Sequence, residues 1–84
     1  MVSFQEALSM AVTAQKTRAH VTDDEIADAL GVSRGSVWLY RSNRVNWSGE
    51  HFDKLAKVLK LNDPWELFDL AKQEAALAEQ QVAA

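Results

Sequence analysis

Apolar residues recur every three or four positions along nearly the whole chain, and polar residues fill the positions between them. This spacing is that of one helical face, so the pattern predicts an all-α fold. The pattern divides into five predicted helices, which begin near Ser3, Thr22, Ser33, Ser48 and Asp63.

Local signals mark where several of these helices begin and end. Thr22 is followed three positions later by Glu25, the spacing of a capping box, and Ser3 and Glu6 repeat it. Gly31 is predicted to end the second helix, because glycine accepts the left-handed backbone of a sharp exit. Pro64 suits the first position of the fifth helix.

The apolar positions of the five helices form a predicted core rather than a cofactor pocket. Its members are Phe4, Leu8, Val12, Ile26, Leu30, Val37, Phe52, Leu55, Leu59 and Leu67. Trp47 and Trp65 are predicted to be partly buried around the fourth and fifth helices, and His20 and His51 are predicted to lie at the surface.

Composition limits the class of protein. The chain has 84 residues, of which 48% are apolar, and it has no cysteine. These values fit one globular domain without disulfides or a thiolate metal site. No run reaches the roughly 18 apolar residues of a membrane helix, so we expect a cytoplasmic protein.

Charge is distributed unevenly around the net value of −3. Residues 29–49 contain Arg34, Arg41 and Arg44 and no acid, whereas residues 23–28 contain four acids and no base. A basic middle between acidic ends indicates an interaction surface, although chance can produce it in a short chain.

The second and third predicted helices meet the requirements of a helix-turn-helix. Ala27 supplies a small residue where the two helices touch, and Gly31 lies in the turn. Val32 and Val37 can wedge the third helix onto the second. The outer face of the third helix would then project from the surface, where it can enter the major groove of DNA.

The stretch from Thr22 to Phe68, TDDEIADALGVSRGSVWLYRSNRVNWSGEHFDKLAKVLKLNDPWELF, resembles the Cro/C1-type (XRE-like) helix-turn-helix domain of phage repressors and bacterial regulators. The similarity lies in ALGVSR, in the segment that holds Asn43, Asn46 and Ser48, in LAKVLKL and in WELF. It implies a five-helix, λ-repressor-like DNA-binding domain, usually dimeric, whose third helix reads double-stranded DNA.

Carried onto this chain, the resemblance implies a set of DNA-contacting residues on and after the third helix. They are Ser33, Arg34, Gly35, Ser36, Trp38, Leu39, Arg41, Arg44 and Asn46. Arg34 can donate two hydrogen bonds to guanine O6 and N7. Arg44 and Asn46 can reach phosphates. Arg41 and Arg44 can alternatively be cations that favour the helix C-terminus.

Two positions depart from the family pattern. Asp23 stands where many members carry a glutamine that meets a phosphate, so that contact is not expected here; first-turn acids also suit the helix dipole. Trp38 and Leu39 stand where members often carry polar residues. Trp38 can contact DNA, anchor a protein partner or fold back into the core, and the sequence leaves all three open.

The residues beyond the predicted DNA-binding domain, 1–69, form an alanine-rich helical extension, 70–84. An apolar stripe along it suits contact with a second copy, and it also fits a frayed helix end. The candidate dimerisation residues are Leu70, Ala71, Leu77 and Ala78.

The sequence therefore predicts a transcriptional regulator, a small phage or bacterial repressor that binds an operator as a homodimer. The alternative is a protein-interaction module on the same scaffold, such as an antitoxin or a recombination or architectural factor. An enzyme is not expected, since no paired carboxylates in a plausible cleft and no phosphate-binding glycine loop occur. No cofactor, metal or small-molecule substrate is expected.

Overall fold

Helices form most of the chain. The computed structural model describes the backbone of residues 2–83 and the side chains of residues 2–80. Within this range the helices are α1 (Phe4–Ala19), α2 (Asp23–Leu30), α3 (Arg34–Arg41), α4 (Phe52–Val58) and α5 (Pro64–Ala83). A single 3-10 turn, Gly49–His51, leads directly into α4. The predicted all-α class is confirmed for this range, which contains no strand.

Side-chain caps begin most of the helices where the sequence predicts them. Ser48 is the exception: its hydroxyl lies 3.2 Å from His51 Nδ1 and bonds no amide, and α4 begins only at Phe52, after the 3-10 turn. The Ser3 hydroxyl accepts from the Glu6 amide at 3.1 Å. Thr22 and Glu25 form a complete capping box at the start of α2, each side chain bonding the other's backbone N–H. The Asp63 carboxylate accepts from the Glu66 amide at 3.1 Å at the start of α5. These bonds satisfy N–H groups that have no partner within the helix.

The chain turns sharply between α2 and α3. Gly31 has φ of +70°, a left-handed conformation that a side chain would strain. The Val32 amide donates to the Ala27 carbonyl at 3.0 Å and closes the end of α2. Ser33 then caps α3 by accepting from the Ser36 amide at 3.1 Å. The two helices are therefore separate elements and not one rod.

The core lies where α1 packs against α5 and where α2 packs against α3 and α4. Most of the predicted core residues are buried there, among them Leu8, Ile26, Val37, Leu55 and Leu67, each at 0% exposure. The described residues contain no helix long and apolar enough to cross a membrane.

Four aromatic or imidazole side chains differ from their predicted exposure. Phe4 is 54% exposed and Trp65 is 72% exposed, because each lies in the first turn of its helix at the edge of the core. Trp47 is almost completely buried, and His51, predicted at the surface, is buried beside Tyr40. The spacing of a stripe shows which side chains share a face, but not where the neighbouring helix ends.

Candidate nucleic-acid interface

The outer face of α3 exposes three of the predicted contact residues. Val37 is the one residue of this helix that is fully buried, and it anchors α3 on the core. Arg34, Gly35 and Trp38 are exposed on other sides of the helix, and Ser36 is half-buried. The hydroxyls of Ser33 and Ser36 lie 3.0 Å apart, so the two serines bond each other at the start of α3.

Arg34 extends from the first turn of α3 into solvent. Its side chain is 74% exposed, and its Nε lies 3.6 Å from a carboxylate oxygen of Asp24, which is itself 68% exposed. An exposed pair of this length contributes little to stability and is screened by salt. The guanidinium can therefore leave Asp24 for another partner at low cost.

Arg41, at the other end of α3, is engaged inside the chain. Its Nη1 donates to both carboxylate oxygens of Asp23 at 2.8 Å, and its Nε donates to Thr13 at 3.3 Å. Lys16 of α1 approaches the same carboxylate at 3.5 Å. Asp23 thus joins the start of α2 to the end of α3. The predicted DNA contact of Arg41 would compete with these bonds.

Trp38 is 54% exposed, so it does not fold back into the core. The guanidinium carbon of Arg44 lies 5.4 Å from the centre of its ring, within the range of a cation–π contact. Leu39, beside it, is half-buried. Trp38 of α3 and Arg44, which follows the helix, therefore form one exposed surface that is both aromatic and cationic.

The residues after α3 form a short exposed segment. Asn43 has φ of +63° and turns the chain away from the helix. Arg44, Val45 and Asn46 follow and are exposed, and we call Arg44–Asn46 the arch. The chain returns to the core at Trp47, whose ring stacks on Tyr40 with centroids 4.9 Å apart. The arch therefore presents Arg44 and Asn46 beside the C-terminal end of α3.

Gly35 is not required by packing. A Cβ built on Gly35 would have the Ser33 hydroxyl, at 3.9 Å, as its nearest neighbour, and this is an ordinary contact distance. Glycine weakens a helix by about 1 kcal/mol relative to alanine. The fold therefore tolerates a side chain at this exposed position and gives no internal reason for the glycine.

Two of the predicted dimerisation residues pack in the core, and the other two keep surface exposed to solvent. Ala71 is 1% exposed and belongs to the core, so no surface of its side chain is available to a second copy. Leu70 is half-buried against the same core. Leu77 is 53% exposed and Ala78 is half-buried. Helix α5 continues without a break across the predicted boundary between the domain, 1–69, and the extension, 70–84. The side chains of residues 81–84 of this extension lie outside the described part of the chain.

Two residues of α1, Gln5 and Ser9, contact this site although no sequence pattern indicates it. Both bond the segment around the arch, across separations of 31 to 42 residues in sequence. No local pattern indicates such contacts, because they exist only once α1 and α3 have packed.

Comparison of the chain with protein-family models, with curated proteins and with solved structures gives no match. Function is therefore inferred from the residues and contacts described above.

Proposed function

We propose that the chain is a sequence-specific DNA-binding regulator that inserts α3 into the major groove. The observation that carries this proposal is the outer face of α3, held away from the core beyond the Gly31 turn with Arg34 and Trp38 exposed. The major groove of B-DNA is wide enough for one helix and displays a distinct donor and acceptor pattern for each base pair.

The helix order supports a λ-repressor-like domain as the scaffold. Helices α2 and α3 form the helix-turn-helix, and α1, α4 and α5 support it from behind. Arg34 reads a guanine with two hydrogen bonds, while Arg44 and Asn46 of the arch bind phosphates. Such a regulator acts in the cytoplasm, as a small repressor that occupies an operator. No step of this function requires catalysis.

The net charge of −3 is unfavourable for DNA binding, but the individual charges near α3 are more favourable. Asp23 is paired with Arg41 and Lys16, so its charge is largely compensated within the chain. Asp24 is the acid nearest to Arg34 and opposes phosphates there. Binding therefore depends on few cations, and we expect a modest salt dependence compared with strongly basic proteins.

A dimer would place two copies of α3 about 34 Å apart, matching half-sites one helical turn apart. The exposed side of Leu77 is the surface we assign to the second copy. Truncation after Asp69 is an unsuitable test, because it removes Ala71 from the core. Leu77→Glu keeps the core intact and is expected to shift sedimentation from dimer to monomer. An unchanged dimer would exclude this surface.

A protein-interaction module is the second candidate, and the exposure of Trp38 favours it. An exposed tryptophan beside an arginine is a common anchor in protein interfaces. Under this alternative, Trp38→Ala abolishes partner binding, and duplex DNA does not bind at all.

Titration of duplex DNA at low and moderate salt tests the proposed function directly. Random-sequence duplexes of about two helical turns are expected to bind at low salt, with affinity falling linearly in log–log form as salt rises. Absence of binding to any duplex at low salt would reject the regulator and leave the interaction module.

A further inference from the structure

The arch is bonded to α3 by its own backbone. The amides of Arg44 and Val45 both donate to the Leu39 carbonyl, at 3.0 Å and 3.3 Å. These bonds fix where the arch leaves the helix. They do not fix where it ends, because the chain must still be held at Trp47.

Gln5 holds the far end of the arch. Its Oε1 accepts from the Trp47 amide at 2.6 Å, and its Nε2 donates to the Trp47 carbonyl at 3.1 Å. One side-chain amide thus satisfies both backbone groups of a single residue, as a neighbouring strand would. Such a double contact fixes the orientation of the peptide as well as its distance from α1.

Ser9 bonds both sides of the arch through one hydroxyl. It accepts from the indole N–H of Trp47 at 2.9 Å. Its single proton points toward two oxygens, Oδ1 of Asn43 at 2.7 Å and the carbonyl of Tyr40 at 3.0 Å. Asn43 precedes the arch and Trp47 follows it. Ser9 is 3% exposed, and its bond with the Trp47 indole is buried, whereas the bonds toward Asn43 and Tyr40 are half-buried.

We propose that Gln5 and Ser9 are positioning residues for DNA binding, which hold the arch in place so that Arg44 and Asn46 meet the phosphate backbone. We call their contacts with Asn43 and Trp47 the α1 clamp. The inference rests on the function proposed above. Neither residue touches DNA; each acts through the peptide and indole of Trp47 and through Asn43.

The physical reason for such a clamp is preorganisation. A flexible arch would lose conformational freedom on binding, and this loss would weaken the complex. Fully bonded buried polar groups specify one geometry, whereas an apolar replacement of similar shape would permit several. The α1 clamp therefore connects a helix that lies behind the interface to the segment that forms its edge.

The test compares Gln5→Leu with Gln15→Leu. Gln15 is a matched control because it is also a half-buried glutamine of α1, and its Nε2 donates to the Leu59 carbonyl at 3.0 Å, far from the arch in sequence. Gln15→Leu removes one bond from α1 to a distant backbone carbonyl, and Gln5→Leu removes one such bond together with the bond from the Trp47 amide, so a general loss of stability appears in both. Only Gln5→Leu releases the arch.

The first readout is amide hydrogen exchange without DNA. Gln5→Leu is expected to raise exchange at the Trp47 amide by roughly tenfold, because this amide loses its acceptor, the Gln5 Oε1. Gln15→Leu is expected to leave the Trp47 amide unchanged. Equal exchange in Gln5→Leu and the unaltered chain would overturn the clamp, whatever the result with DNA.

The second readout is the salt dependence of duplex binding. Loss of a phosphate contact is expected to reduce the log–log salt slope by about one. A partly unfolded variant would lose affinity without changing this slope. The preference among DNA sequences, which Arg34 determines, is expected to remain.

These outcomes separate the clamp from the proposed function. Faster exchange at the Trp47 amide with an unchanged salt slope would overturn the role of Gln5 in binding. If the unaltered chain binds no duplex, the proposed function fails, and a positioning role in DNA binding falls with it. Exchange at the Trp47 amide then still decides whether Gln5 holds the end of the arch.

Discussion

Arg34 and Arg41 lie at opposite ends of α3, and their surroundings differ sharply. Arg41 donates to both oxygens of Asp23 at 2.8 Å, and its side chain is 24% exposed. Arg34 has one contact at 3.6 Å and a side chain that is 74% exposed. The same residue type therefore supports the fold at one end of the helix and remains available to a ligand at the other.

This difference changes how the basic segment is interpreted. The sequence shows three arginines without an acid in residues 29–49, but the acid that pairs with Arg41 lies just outside that range. Local charge counts therefore overestimate the cations available to DNA. If Arg41 supports the fold and the Arg34 end of α3 binds a ligand, substitutions at the two ends should have different effects.

The largest expected effect is on stability, from Arg41→Ala. The substitution removes two charge-assisted hydrogen bonds and leaves Asp23 with Lys16 alone. We expect the free energy of unfolding in urea to fall by about 2–3 kcal/mol. Arg44→Ala is the control and is expected to change stability by less than about 0.5 kcal/mol. Equal stability of both variants would remove the structural role of Arg41.

Arg34→Ala should weaken DNA binding and leave stability nearly unchanged. Loss of a bidentate base contact costs about 1–3 kcal/mol, so affinity for a selected duplex should fall by roughly fivefold to 150-fold. Stability should change by less than about 0.5 kcal/mol, because the pair with Asp24 is exposed. Fluorescence anisotropy measures the affinity. Arg18→Ala, at an exposed arginine of α1, should leave the sequence preference unaltered.

Glycine substitutions separate the turn from the helix face. Gly31→Ala should lower the free energy of unfolding by about 1 kcal/mol, because φ is +70° there. Gly35→Ala should raise it by about 0.5–1 kcal/mol, since the added Cβ has room and alanine favours the helix. If α3 approaches DNA closely at Gly35, the stabilised variant should bind more weakly. Unchanged affinity would place Gly35 away from DNA.

The smallest expected effect comes from Asp24→Asn. Removing this charge frees Arg34 and reduces repulsion of phosphates, so affinity should rise by a factor of roughly two to five at low salt. The gain should disappear at high salt because the groups are exposed. Asp69→Asn on α5 is the control with an equal change in net charge, and a similar gain there would indicate a general effect.

Much of the fold could be predicted because its signals are local. Thr22 and Glu25 mark the start of α2 within one turn, and Gly31 marks its end by its own backbone preference. The exposure of Arg34 follows from its place just after the Ser33 cap. Such signals depend on neighbouring residues and not on the packed structure.

Contacts between distant residues could not be predicted in the same way. Asp23 meets the first-turn preference of a helix by itself, so nothing in the sequence indicates that Arg41 neutralises it. Gln5 resembles any polar residue on a helix until Trp47 packs against α1. Ala71 follows an apolar spacing that a core contact and a dimer contact would share, and only burial distinguishes them.

The most direct test of the DNA-reading role of α3 is selection of bound duplexes from a random-sequence pool, with the unaltered chain and with Arg34→Ala in parallel. We predict that the unaltered chain enriches one motif, and that Arg34→Ala relaxes the preference at one guanine while retaining the rest. A pool that stays random after repeated selection, or an identical motif for both chains, would contradict the assignment of α3 as the reading helix.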